Sequence, residues 1–284
     1  MPEELRSEVF APGLLDGRVC IVSGAGTGLG RATARELASL GATVIGCGRR
    51  PEPLAQLASE LGDAGARVEG VPTDIREQSE VESLVDGVLE RHGRIDVLVN
   101  NAGGQFLSPA EAITPKGFRT VTELNVQGTW QMTHAVATKA FIPQEGGKVV
   151  SVTISPHNGM PGMVHSGAAR AAVENMMRTL SIEWSRFQIK LCAIAAGQFD
   201  TEVIRTKYPP EVAENVPRTV PLQRLGRPEE MAWLVAYLAS PAGDFFSGSV
   251  LTLDGARDNW FGAWPPGVYG ETGEPPAEER RPKP

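Results

Sequence analysis

Residues 19–30 constrain the fold more than any other stretch of the chain. Val19-Cys20-Ile21-Val22 is an apolar, β-prone run. It leads straight into Ser23-Gly24-Ala25-Gly26-Thr27-Gly28-Leu29-Gly30, and a helical pattern begins at Leu29. A strand that turns through glycine into a helix makes a phosphate cradle. Glycine permits the tight turn and a close backbone approach, and the helix start offers free N–H groups and a positive dipole end. The spacing is G-x-x-x-G-x-G at Gly24, Gly28 and Gly30; G-x-G-x-x-G fails because Leu29 takes the place of its third glycine. Gly24, Thr27, Gly28, Leu29 and Gly30 are therefore the first candidate cofactor contacts.

Apolar β-rich runs alternate with amphipathic segments along most of the chain. Strands are expected at Val19–Val22, Ala42–Cys47, Arg67–Val71, Ile95–Val99, Lys148–Ile154, Ile189–Ala195 and Val250–Leu253. Helices are expected at Leu29–Leu40, Pro53–Leu61, Gln78–His92, Lys116–Phe141, Val164–Arg186 and Pro228–Ala239. Such alternation predicts an α/β fold, a Rossmann-type doubly wound parallel sheet of about seven strands with right-handed crossovers. Asp200–Leu222 breaks the pattern with Pro209, Pro210, Pro217 and Pro221 and reads as a small substrate lobe. The expected organisation is an extension over 1–14, one catalytic domain over 15–261 with its lobe at 200–222, and a Pro-rich tail over 262–284.

The chain has 284 residues, 41% hydrophobic and 21% charged, enough for a full core. A formal charge of -7 argues against nucleic acid or an anionic membrane as partner. The first residues show no apolar leader, no apolar run would span a bilayer, and the ending PKP is not a peroxisomal address; a cytoplasmic protein is expected. Cys20, Cys47 and Cys192 are few and scattered and read as buried strand residues, with no metal site.

The glycine motif, together with Asn100-Asn101-Ala102-Gly103 after the fourth strand, resembles the short-chain dehydrogenase/reductase family over about residues 15–256. The resemblance implies that Asn101, Ala102 and Gly103 steady the sheet beside a nicotinamide dinucleotide. It puts Asp74, with Ile75, at the adenine. The second strand ends Gly46-Cys47-Gly48-Arg49-Arg50 with no acid before Glu52. A carboxylate there would bind a ribose 2′-hydroxyl, whereas Arg49 and Arg50 favour a 2′-phosphate, hence NADP(H). Beyond the sixth strand, Gly197, the Phe199 backbone and the Thr201 hydroxyl are placed at the carboxamide and pyrophosphate.

Family members set Asn, Ser, Tyr and Lys around the reacting centre, with Tyr and Lys four apart on one helix face. Asn125 matches the Asn. Thr153 and Ser155 both remain candidates for the Ser. The chain departs from the pattern where the Tyr and Lys belong: Ser166 and Arg170 stand there. The stretches Gly104–Glu111 and Val164–Ala171 resemble the peroxisomal trans-2-enoyl-CoA reductase branch, and there a further tyrosine and lysine are replaced by Glu174 and Arg178. That likeness implies NADPH-dependent reduction of an enoyl thioester, with a small acyl thioester as substrate and a homotetramer or homodimer as assembly. A carbonyl reductase or alcohol dehydrogenase using His157 or a water relay, and a cofactor-binding protein without activity, are the rival readings. His165 and Glu174 are expected to be dispensable.

Overall fold

Parallel strands cannot be joined by tight turns, so each pair requires a crossover, and here every crossover between consecutive strands carries a helix. The computed structural model describes residues 5–155, 157–207, 210 and 215–260. Its strands are β1 (Val19–Ser23), β2 (Thr43–Gly48), β3 (Val68–Pro72), β4 (Val97–Asn100), β5 (Gly147–Ile154), β6 (Ile189–Ala196) and β7 (Val250–Leu253). They form one seven-stranded sheet in the order β3-β2-β1-β4-β5-β6-β7, with every neighbouring pair parallel. The order reverses between β1 and β4, and in such sheets ligands bind outside the C-terminal strand ends at that switch point. The glycine turn after β1 lies there.

The alternation of a strand sorts its side chains between two layers. Cys20 and Val22 of β1 pack with helices α1 (Gly28–Ser39), α2 (Pro51–Asp63) and, further along the sheet, α8 (Pro228–Ala239). Val19 and Ile21 face α3 (Gln78–His92), α5 (Gly128–Val136) and α6 (Val164–Glu183). Central strands are buried on both faces and read as continuous apolar runs; the edge strand β3 is half-exposed, which is why Glu69 is tolerated in it. All three cysteines are buried in strands, and burial pushes their thiols up, Cys192 to about 11 and Cys47 to about 12. In the N-terminal extension Leu5, Phe10 and Leu14 pack on the first layer, and Ser7 Oγ donates to Glu36 at 2.6 Å.

The long helix expected over Lys116–Phe141 is continuous but not uniform. It runs as α4 (Pro115–Thr122), a π-helical turn at Glu123–Gln127, α5, and a second π turn at Ala137–Phe141. Thr114 caps it by accepting from Gly117 N at 3.0 Å, and Pro115 fits the first turn. In the lobe, α7 (Glu202–Lys207) and a 3-10 turn at Val216–Thr219 are described, and a parallel bridge pairs Phe199 with Gly226 at its base. The tail over 262–284 lies outside the described residues, as do Tyr208 and Pro209.

Candidate active site

Ser23 ties the cradle together. Its hydroxyl donates to Val99 O at 3.3 Å and accepts from the backbone N–H groups of Asn101 and Ala102, both at 3.0 Å. Asn101 Nδ2 returns a bond to Ser23 O at 2.9 Å. One side chain from each strand end thus locks β1 to β4 across the switch point. Gly24 sits at φ +68°, and a Cβ there would lie 2.9 Å from Asn101 Nδ2. At Gly30 a Cβ would fall 2.2 Å from the carbonyl oxygen of Gly24, so only glycine lets the helix pack this close. Thr27, the N-cap of α1, makes no side-chain cap, and the first turn holds no acid. The N–H groups of that turn are left for an incoming anion. This cradle fits the pyrophosphate of a dinucleotide.

Arg49 and Arg50 are both exposed at the end of β2. Asp74, at the end of β3, is held by its neighbour: Arg76 Nε donates to its Oδ1 at 2.9 Å, and Arg76 Nη2 bonds its Oδ2. That hydrogen bonding keeps the Asp74 carboxyl below the usual range, with the positive charge of Arg49 adding to the effect. Arg76 was not among the candidates read from the sequence, yet it pairs with Asp74, an acid that also feels the charge of Arg49. The Ile75 side chain is buried and packs against Gly128.

The centre of the cleft is built around Gly103. A Cβ on it would lie 2.3 Å from Arg170 Nη2 and 2.7 Å from Asn125 Oδ1, so the missing side chain makes room for both. Asn125 is fully buried in the first π turn and is spent on structure. Its Nδ2 donates to Gly104 O (2.8 Å) and Val121 O (2.7 Å), and its Oδ1 accepts from Gly104 N (3.3 Å). Arg170 Nη1 donates to Val152 O at 2.7 Å, while its Nε has no hydrogen-bond partner among the described residues. Burial without a carboxylate lowers its pKa to about 10, so the guanidinium stays charged through the neutral range. Ser166, buried one turn earlier on α6, donates to Gln105 Oε1 at 2.8 Å.

The two candidate hydroxyls at the end of β5, Thr153 in the strand and Ser155 just after it, already have partners. Thr153 Oγ1 donates to Glu174 Oε1 at 2.9 Å, and Ser155 Oγ is bonded to Asp254 Oδ2. Neither is a spare donor, because each faces a carboxylate. Glu174 itself is buried, and its Oε1 also meets His157 Nε2 at 3.0 Å. The other ring nitrogen, Nδ1, lies 2.5 Å from Asp258 Oδ2. Partial burial opposes the charged ring, but the Asp258 bond and the Glu174 charge outweigh it, so the His157 pKa is raised. Glu174 is therefore a buried junction between β5, the loop after it and, through His157, the turn after β7. His165 is also fully buried: its Nδ1 accepts from Ser166 N at 2.9 Å and its Nε2 is unpartnered among the described residues.

Around this centre, Thr201 faces the cradle, 3.8 Å from a Cβ placed on Gly28. Gly197 gives space to Asp254, and Phe199 O accepts from Thr201 N at 2.8 Å. Phe106 and Leu107 on the loop after β4 and Val164 at the start of α6 are exposed, and that loop is joined to the segment before α6 by a bond from Ser108 N to Gly162 O of 2.9 Å. Phe106 meets the buried His165 ring edge-on at 4.3 Å. Tyr237, the one tyrosine among the described residues, packs on Phe246 in the core layer of α8, away from α6.

Residues 24–256 match the family model described as enoyl-(acyl carrier protein) reductase. The chain is a short-chain dehydrogenase/reductase. Among relatives of this reductase is the peroxisomal 2,4-dienoyl-CoA reductase [(3E)-enoyl-CoA-producing] of Pongo abelii, 35% identical over 90% of this chain and 87% of that protein. The Mus musculus protein of the same name is 34% identical over 87% of this chain and 86% of its own length. Among solved structures, the citronellol catabolism dehydrogenase AtuB of Pseudomonas aeruginosa PAO1 is 39% identical, with a TM-score of 0.79 over 88% of this chain and 98% of that one. Among the described residues, no helix is long and apolar enough to cross a membrane.

Proposed function

We propose that this dehydrogenase/reductase uses NADPH to reduce a carbon–carbon double bond conjugated to an acyl thioester. The observation that carries the reading is the Arg170 guanidinium, its buried Nε unpartnered among the described residues, one turn from Ser166 in a site where the described residues include no tyrosine. Bound in the cradle, NADPH supplies the hydride; Arg49 and Arg50 take the 2′-phosphate, and Arg170 holds the ribose side. Reducing a ketone would leave an alkoxide, which needs a strong acid at once. Hydride added at C3 of an enoyl thioester leaves an enolate, whose oxygen is far less basic. Donors can stabilise it while water delivers the proton to C2. Arg170 suits this task, because it places charge without giving up a proton. Asn125 acts at one remove, holding the 103–105 loop against Arg170. The exposed Phe106, Leu107 and Val164 give an acyl chain an apolar bed.

Relatives named as dienoyl-CoA reductases support this reading. The likeness to AtuB supports a second one, oxidation or reduction of an alcohol–carbonyl pair. One assay separates them: NADPH consumption with crotonyl-CoA and 2,4-hexadienoyl-CoA, set against acetoacetyl-CoA, and NADP⁺ reduction with citronellol. Turnover confined to the first pair is the expected result. Turnover confined to the second pair overturns it, and cofactor binding without any turnover identifies a non-catalytic protein.

A further inference from the structure

The two unlike ends of the sheet bear opposite duties. The C-terminal edge holds the cradle. At the N-terminal edge, four neighbouring strands each begin with a cation. Arg18 precedes β1, Arg94 precedes β4, Lys148 is the second residue of β5 and Lys190 the second of β6. Lys148 and Lys190 are in direct register on adjacent parallel strands. Like charges set opposite one another about 4.8 Å apart are destabilising, so this pairing needs a reason. The four cations border a cleft of about 640 Å³, in which the carboxylates are Asp96 and Asp244. Two positive charges remain in excess, on a chain whose formal charge is -7.

The arrangement is built rather than incidental. Asp96, 6% exposed, accepts from Val19 N at 2.9 Å and from Arg18 Nη1 at 2.9 Å, and Arg94 Nε donates to it at 2.9 Å. This pins both guanidiniums at the cleft wall while leaving about half of each side chain exposed, 46% and 51%. Lys148 forms the floor: it pairs with Asp244 at 2.7 Å and donates to Leu238 O at 3.1 Å. Its pKa is lowered by burial first, with the charges of Lys190 and Arg18 adding to the effect. Lys190 donates to Gln188 O at 2.9 Å and pairs with no carboxylate among the described residues. Three strand spacings separate Arg18 from Lys190, roughly 14 Å, too far for one phosphate to bridge.

We infer that this N-terminal edge is a second anion site, matched to a small molecule carrying two or three linked phosphate groups. Arg18 and Arg94 would grip one end and Lys190 the other, with Lys148 beneath. The site is independent of the cofactor cradle and of whatever reaction takes place there.

The test is calorimetric titration of the full chain with inorganic tripolyphosphate, in about 50 mM salt and with NADPH in excess. One ion should bind per chain, and binding should weaken at least about tenfold in about 300 mM salt. Lys190→Glu should weaken it by at least about tenfold, and Arg49→Ala should leave it unchanged. Orthophosphate should bind at least about tenfold more weakly than tripolyphosphate. Lys190→Gln serves as the milder variant; it relieves the clash with Lys148, so its melting temperature should equal or exceed that of the parent without ligand, and tripolyphosphate should raise the melting temperature of the parent more than that of the variant. Equal binding by the parent and both Lys190 variants, or loss of binding in Arg49→Ala alone, overturns the inference.

Discussion

At the scale of single residues, the site is defined by what surrounds each charge. Asp74, the acid that feels the charge of Arg49, is held by Arg76. NADPH should therefore bind at least about tenfold tighter than NADH, a difference of about 1.4 kcal/mol. Arg49→Ala should bring the two dissociation constants, measured by fluorescence titration, within a few-fold of each other. Arg170 is different in kind: its Nε is buried without a partner, and it pairs with no carboxylate among the described residues. Losing a donor aimed at developing charge typically costs about 3 kcal/mol, roughly a hundredfold in rate. Arg170→Ala should lose at least that in initial rate with saturating NADPH and an enoyl-CoA, and Arg170→Lys should recover part of it. Ser166→Ala should cost less, because its hydroxyl is shared with Gln105. An Arg170→Ala enzyme with the parental rate would remove this residue from the mechanism.

At the scale of elements, most of the architecture could be read directly. Gln78–His92, Pro228–Ala239 and Val250–Leu253 have the bounds that periodicity and caps imply, and the other strands and helices shift by a few residues. The glycine turn was legible because close backbone approach leaves a mark in residue type. Two things were hidden. The π turns keep Val121, Asn125, Thr129 and Thr133 spaced as in an ordinary helix, so nothing in the pattern announces them. The Glu174 junction draws on Thr153, His157 and, through His157, Asp258, residues that only the folded chain brings together. That distance is also why Thr153 and Ser155 read as free donors. The junction has a consequence for pH. The folded His157 pKa is raised from 6.5, so its stabilising charge is fully present below about 6.5 and is lost as pH rises through the folded value. The parent should lose more melting temperature than His157→Gln as pH is raised from about 6 to about 8.5 in scanning fluorimetry. Parallel curves would show that the ring carries no such linkage.

At the scale of the whole molecule, the exposed apolar residues are unevenly spread. Phe245, just before β7, is 102% exposed, and Ile182 on α6 is 77% exposed. Large apolar side chains so far out in water are commonly covered by a partner. A dimer or tetramer is expected, and light scattering at micromolar concentration should report a multiple of the 30.3 kDa chain mass. Phe245→Asp should shift that mass downward without unfolding the subunit; a chain mass of one unit in the parent would refute the assembly.

The first π turn makes the long helix a vernier. A π turn holds about one residue more than the α turn it replaces, so it is a place where chain length can change without breaking the rod. Removing Leu124 should let Glu123–Gln127 close as an ordinary turn and leave far-ultraviolet dichroism nearly unchanged. The cost would fall on aim rather than on stability. Asn125 would no longer reach both Gly104 and Val121, and the loop it clasps would drift from Arg170. A deletion that melts the protein, or one that leaves turnover intact, would show that the surplus residue has no such bearing on the site.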